Sequence, residues 1–359
     1  MTQTQTAAPP EPVDWDLAER VARRFAGREP IAASYLGGSL DSDFSAVTTQ
    51  AEQLVGDFTG LHAPGTASAC VLDRAQWVHA NVGSMRRMLH PLTARVAERV
   101  ARSPVAPVGR RVAGTEMGVL LGFMAQRVLG QYDLLVPDDP DESATAGNGA
   151  VYYVGANILA LEKRYAFRPR DFRLWIAIHE VTHRAQFTAV PWLKGYFLSL
   201  VEQALAIVDP DPGRLVQAMM RAADELRKGH NPLDDGGLVA LFASPEQRGV
   251  LAQVQALMSL LEGHGNSVMN ELGRVHIAGQ ERMARVLQAR RRSRGVAGIL
   301  YKLLGFESKL RQYEVGEAFV AEVVRVGGPH AIDAAWRDPE SLPTMDELAH
   351  PTEWLARVA

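Results

Sequence analysis

The run His179-Glu180-Val181-Thr182-His183 holds the residues of this chain best suited by type and spacing to do chemistry. On a helix, positions four apart share one face with Cβ atoms about 5 to 6 Å apart. Two imidazoles so placed can converge on a single ion about 2.0 to 2.1 Å from each. Glu180 is turned about 100° from His179, which puts its carboxylate beside such an ion, where it can take a proton from bound water. This is the spacing of zinc hydrolases. Zn2+ is the expected cofactor, with His179 and His183 as ligands and Glu180 as catalytic base. A blander reading makes Glu180 the surface partner of Arg184, four positions on. Against it, Leu174 to Ile178 is an unbroken apolar run and Trp175 precedes His179 by four, so the histidines continue the face of a buried helix. Two uncoordinated histidines there would need other polar partners.

A catalytic zinc site takes three protein ligands and leaves one position for water. The extended motif with a third histidine needs Gly at 186 and His at 189, and Gln186 and Ala189 stand there instead. A glutamate from a second helix is then the leading idea, and two compete. Glu202 follows His183 by nineteen positions, in an apparent helix from Lys194 to Val208. Glu262 lies far downstream in MSLLEGHGNSVMNELG, Met258 to Gly273. Each flanks the apolar stripe of its helix. Glu262 sits on the stripe's edge near Met258 and Met269, whereas Glu202 stands on the side of Ser199 and Ala206, and this geometry separates the two only weakly. His264, about 200° from Glu262 on a regular helix, cannot share an ion with it and reads as a hydrogen-bonded structural residue. Tyr313, His276 and His264 are unranked candidates for stabilising an oxyanion.

The elements that must position these groups are mainly helical. Asp14 can cap a first helix through Trp15, Leu17, Val21 and Phe25, and helical spacing continues over Phe44 to Phe58, Ala67 to Arg86 and Leu92 to Ala101. Pro104 and Pro107 precede a further helix that runs to about Gly130. Short strands are expected at Tyr132 to Val136 and Val151 to Val154, on either side of the acidic loop Asp138 to Glu142 and the Gly147-Asn148-Gly149 turn. The chain returns to helix near Asp171, breaks at Pro191, loops at Asp209 to Gly213 and Gly229 to Gly237, and forms a long helix over Val250 to Leu272.

Composition narrows the context. A chain of 359 residues with 47% hydrophobic and 22% charged residues can bury one large core or two smaller ones. Thirty-eight basic against 41 acidic residues leave a formal charge of -3, which argues for neither nucleic acid nor membrane as partner. The run Arg290, Arg291, Arg292 and Arg294 reads as a solvated loop or helix end. Cys70 is the sole cysteine, which excludes an internal disulfide and fits the cytoplasm. Residues 1–13 read as a disordered tail without signal-peptide anatomy, and the apolar stretch Met117 to Met124 is too short to span a bilayer.

HEVTHRAQF at His179 to Phe187, followed by EGHGNSVMN at Glu262 to Asn270, resembles the actinobacterial zincin-like metallopeptidases associated with deazaflavin coenzyme biosynthesis. ESKLRQYEVGEAF from Glu307, SLPTMDELAHPTEW from Ser341 and VDWDLAERVARR near the start extend the resemblance over nearly the whole chain. The metal pair and the later glutamate are similar to those of gluzincins, which implies His179, His183 and Glu262 as metal ligands and Glu180 as base. Gly265-Asn266 departs from the usual gluzincin pattern and makes Asn266 a possible partner of a zinc-bound histidine. Gluzincins also line their cleft with an edge strand. Val151 to Asn157 is placed as such a strand would be, with Tyr152 and Tyr153 as possible substrate contacts.

The expected fold is thus α+β and mainly helical, with a helical region at 14–135 packed on a zincin-like core at 136–359 that carries a small sheet and the HExxH helix; the whole could form one compact unit. The expected activity is zinc-dependent hydrolysis of amide bonds, most simply in a peptide. The alternatives are a small-amide hydrolase and a non-catalytic zincin-fold binding protein. The oligomeric state is left open.

Overall fold

The computed structural model describes residues 11–27, 37–101, 106–134, 150–206, 245–292 and 307–359. They form a mainly helical α+β protein with one three-stranded sheet. The chain divides into two compact units built from interleaved stretches, Met1–Ser45 with Ser68–Ala166 and Ala46–Ala67 with Phe167–Ala359.

In the first unit, Asp14 caps α1 (Trp15–Ala26) by accepting a hydrogen bond from the Leu17 amide at 2.9 Å. Helix α2 (Gly37–Thr59) brings Phe44 into this unit. Helix α4 (Ala106–Ala125) lies on α1 through glycines spaced four apart. A Cβ on Gly118 would stand 2.6 Å from the Ala18 carbonyl oxygen and one on Gly122 2.7 Å from that of Ala22, so the two backbones touch with no side chain between them. The apolar run Met117 to Met124 is part of this helix pair.

Strand β1 (Ala69–Leu72) occupies a stretch whose spacing suggested helix. Four apolar residues fit either period, and the three-dimensional partner decides. Helix begins only with α3 (Arg74–Ala101), where Asp73 and Gln76 each accept a hydrogen bond from the other's backbone amide, at 2.7 and 2.8 Å respectively. Pro91 lies inside α3, so the expected break between Arg86 and Leu92 is absent; a proline there removes one helical hydrogen bond without ending the helix.

The sheet order is β1-β3-β2, with β3 (Val151–Val154) parallel to β1 and antiparallel to β2 (Gly130–Tyr132). This corrects the expectation of an edge strand, because both edges of β3 are already paired. Tyr153 is fully buried and stacks on Phe44 with ring centroids 4.1 Å apart, so it is a core residue and not a substrate contact. Tyr152 is half-buried, and burial together with Asp133 pushes its hydroxyl pKa up to about 12. The strand stops where α5 (Gly155–Tyr165) begins, with Asn157 donating to the carbonyls of Ala125 and Val128 at 2.8 and 2.6 Å.

In the second unit, Pro169 opens α6 (Pro169–Ala189), a position where a missing N–H costs nothing. It is followed by α7 (Leu193–Ala206), α8 (Pro245–His276), α9 (Gln280–Arg292) and α10 (Glu307–Gly327). Helix α8 packs against α6, α7 and α10. Its crossing with α10 is a main-chain contact: a Cβ on Gly263 would collide with the backbone of Gly316, and one on Gly316 with the carbonyl of Ser259. Leu257, Leu260 and Leu261 of α8 join Phe319 and Val323 of α10 and Trp354 in the core. Two 3-10 turns, Ala331–Trp336 and Pro339–Ser341, lead to α11 (Met345–Ala349) and α12 (Pro351–Val358). Thr344 and Glu347 form a reciprocal cap on α11, and Glu347 also accepts from Arg357 at 2.6 Å. Burial would raise the Glu347 carboxyl, but Arg357 and Thr344 hold it below its ordinary range.

No helix among the described residues is long and apolar enough to cross a membrane. Residues 1–10, the acidic loop with its Gly147 turn, the loops at Asp209 and Gly229, and Arg294 lie outside the described residues; Arg290 to Arg292 close α9.

Candidate metal centre

The site is built where α6 and α8 cross. Along this contact α8 offers glycines to the large residues of α6: a Cβ on Gly273 would lie 3.3 Å from Trp175, and one on Gly265 would lie 3.2 Å from Cε1 of His183 and 3.4 Å from Cε1 of His179. The helices approach closely because position 265 has no side chain, and the space so left is filled by the two imidazoles.

His179 and His183 point their Nε2 atoms at one spot, 3.2 Å apart, with rings edge to face. Glu262 of α8 brings Oε2 to 3.7 Å from the first and 3.6 Å from the second. Donor atoms about 2.0 to 2.1 Å from one ion at tetrahedral angles lie about 3.3 Å apart, so this triangle has the size a zinc ion requires. Two neutral imidazole nitrogens and a carboxylate are also the donor set of catalytic zinc. Among the described residues, His179, His183 and Glu262 are the one group of three or more His, Cys, Asp or Glu side chains that could hold a metal ion. Their side chains keep 15 to 20% of their surface, so the spot is open to solvent.

The electrostatics follow from this packing. Burial alone would lower the basicity of His183, but the hydrogen bond and charge of Glu262, helped by Glu180 and Gln186, carry its pKa up to about 9. A divalent ion would have to displace the proton that Glu262 stabilises on His183.

Glu180 is buried on α6 and close enough to act electrostatically on His183. The surface pairing with Arg184 does not describe it, because Arg184 is itself fully buried. The Arg184 guanidinium reaches Glu52 of α2 at 2.6 Å and the Pro64 carbonyl at 2.8 Å, and Glu52 also receives the Ala67 amide at 2.9 Å. Arg184 therefore ties the loop after α2 to the metal-facing helix.

Of the two competing glutamates, Glu262 joins the histidines and Glu202 is exposed on α7. Helical geometry separated them weakly because the choice depends on which helix crosses α6 at the histidines. His264 is buried against Trp336, with ring centroids 5.1 Å apart, and is hydrogen-bonded to Gln186. Burial and the neighbouring His183 lower its pKa to about 4, so it is neutral near pH 7. His276 is exposed at the end of α8, and the side chain of Tyr313 lies outside the described residues.

Gln186 is the residue that sequence reasoning passed over. It served there only to exclude the three-histidine class, yet its Oε1 lies 2.9 Å from Nδ1 of His183. Asn266, the expected partner for a metal-bound histidine, is buried with neither amide atom hydrogen-bonded among the described residues. The available signal was a polar side chain three positions after His183, on the same buried helix face.

The model of the zincin-like metallopeptidase family matches residues 13–355. A crystal structure from Chloroflexus aurantiacus, described in provisional terms as that of a hydrolase with a novel fold, is similar to this chain at 31% sequence identity and a TM-score of 0.70. The match covers 96% of this chain and 98% of that one. No curated protein matches the chain.

Proposed function

The chain belongs to the zincin-like metallopeptidase family, and on that premise we propose that it is a zinc-dependent hydrolase of amide bonds, acting on a peptide. In this reading His179, His183 and Glu262 hold the ion and Glu180 is the base. The observation that carries it is the triangle of three donor atoms 3.2, 3.6 and 3.7 Å apart. Bound there, a zinc ion supplies Lewis acidity, bringing the pKa of water toward about 7 and polarising the scissile carbonyl.

The rest of the reaction falls to the protein. Glu180 takes a proton from the attacking water through its carboxylate and passes it to the amide nitrogen as the carbon–nitrogen bond breaks, ending ionised as it began. Its burial on α6 beside the histidines favours this role, because a carboxylate shielded from bulk water acts on the near proton. Solvent access to the three ligands, with no fourth His, Cys, Asp or Glu joining them among the described residues, supports a catalytic site over a closed structural one. The resemblance of HEVTHRAQF and EGHGNSVMN to the branch associated with deazaflavin coenzyme biosynthesis supports a role near that pathway, and a single cysteine fits a cytoplasmic setting.

Metal content measured by mass spectrometry on the wild-type chain and on Glu262→Ala and Glu202→Ala tests the reading. The expected result is near one zinc per chain, lost with Glu262 and kept with Glu202. Absence of zinc from protein purified without chelators would favour a zincin-shaped binding protein.

A further inference from the structure

We infer that Gln186 is a positioning residue of the metal centre: its side-chain amide keeps a proton on Nδ1 of His183 and so presents Nε2 of that ring to the ion. The inference rests on the metal-centre reading above.

The hydrogen-bond arithmetic is closed. A glutamine amide has one acceptor oxygen and two donor hydrogens on nitrogen. The Leu261 carbonyl, 3.1 Å away, can only accept, so Nε2 of Gln186 must face it. The oxygen Oε1 therefore faces Nδ1 of His183 at 2.9 Å and requires a proton there. A neutral imidazole protonated on Nδ1 has its lone pair on Nε2, the atom that faces His179 and Glu262. The second amide hydrogen goes to Nδ1 of His264 at 2.9 Å, and Trp336 packs edge to face against that ring. Gln186 is fully buried, so no water competes for these bonds.

The placement of the anchors adds a second function. Leu261 and His264 both lie on the turn of α8 that carries Glu262. One amide thus ties the second histidine of α6 to the same turn that supplies the third ligand, and sets two ligands relative to each other as well as the tautomer of one.

Leucine at 186 removes every one of these bonds at similar volume, whereas glutamate keeps the acceptor facing His183. Full-length wild-type, Gln186→Leu and Gln186→Glu proteins, stripped of metal, are titrated with zinc against a competing chelator. Gln186→Leu is expected to lose about 10- to 100-fold in zinc affinity and Gln186→Glu to recover most of it. The second readout needs no metal: nitrogen-edited imidazole NMR of the metal-free chain above about pH 9, where the His183 ring is neutral, should show its remaining proton on Nδ1 in wild type and divided between the two ring nitrogens in Gln186→Leu.

A wild-type chain whose neutral His183 carries its proton on Nε2 overturns the inference, even if Gln186→Leu fails to fold. So does a folded Gln186→Leu protein that binds zinc like wild type, or a Gln186→Glu protein that binds as poorly as Gln186→Leu. No zinc uptake by wild type defeats the metal reading itself and with it the purpose assigned to Gln186, whereas uptake unchanged by Gln186→Leu defeats the inference alone.

Discussion

Gly265 lies against the ring of His183, close enough that a methyl group on its Cα would stand 3.2 Å from Cε1. That separation is tighter than an ordinary van der Waals contact, so the imidazole has to yield by a few tenths of an ångström if the methyl is added. Alanine also brings about 1 kcal/mol of helix propensity over glycine. The two effects oppose each other in stability and not in metal binding. Gly265→Ala should unfold in urea within about 1 kcal/mol of wild type while losing about tenfold in zinc affinity. Unchanged affinity would show that the rings move aside at no cost.

Glu180→Gln keeps the size of the side chain and removes its ability to take a proton. Turnover on any substrate found by a peptide-library screen should fall by about 10²- to 10⁴-fold with zinc content unchanged. A variant that keeps its rate would remove Glu180 from the mechanism, and one that loses zinc would make it a structural residue of the site.

Arg184 and Glu52 form an ion pair in which the arginine side chain is 1% exposed and the glutamate 17%. Removing one partner of such a pair leaves the other charge poorly solvated. Arg184→Met should therefore lower unfolding free energy by about 3 to 5 kcal/mol in urea titrations. The double variant with Glu52→Gln should recover part of that loss, because no charge is then stranded. Equal destabilisation of single and double variants would mean that the bond to the Pro64 carbonyl, and not the ion pair, carries the effect.

Glu347 sets a pH dependence at the C-terminal end. Its folded pKa lies below the ordinary 4.5, so the folded chain binds this proton less readily than the unfolded one. The stabilisation is fully present above the unfolded value and is lost as pH falls through the folded one. Glu347→Gln should be less stable than wild type at neutral pH, with the two curves converging below about pH 4.5. Parallel curves across that range would show that the cap and the Arg357 contact survive without the charge.

The sequence made the local parts of the centre legible. The five-residue motif depends only on helical repeat, and the cap at Asp14 only on its next three residues; both are present in the structure. What depends on distant segments was hidden. Gln186 meets its partners 75 and 78 positions away, and no pattern inside α6 announces them. Strand β1 is four residues long and looks helical until β3 is laid beside it, and β3 looks like an edge until β1 and β2 occupy both of its sides. Glu262 and Glu202 differ in sequence by little more than stripe position, and the crossing of α8 over α6 separates them.

The contact between Gly263 and Gly316 makes the reach of Glu262 a property of the main chain. Side chains at a helix crossing can change rotamer and let one helix drift past another; two backbones in contact have no such play. Sliding α8 by one residue along α10 would shift it about 1.5 Å and turn it about 100°, which swings position 262 away from the histidines. The centre therefore has a single working alignment. Mutations that loosen this crossing should act on it as a thread jumping a pitch acts on a screw, by abrupt loss of fit without gradual slackening.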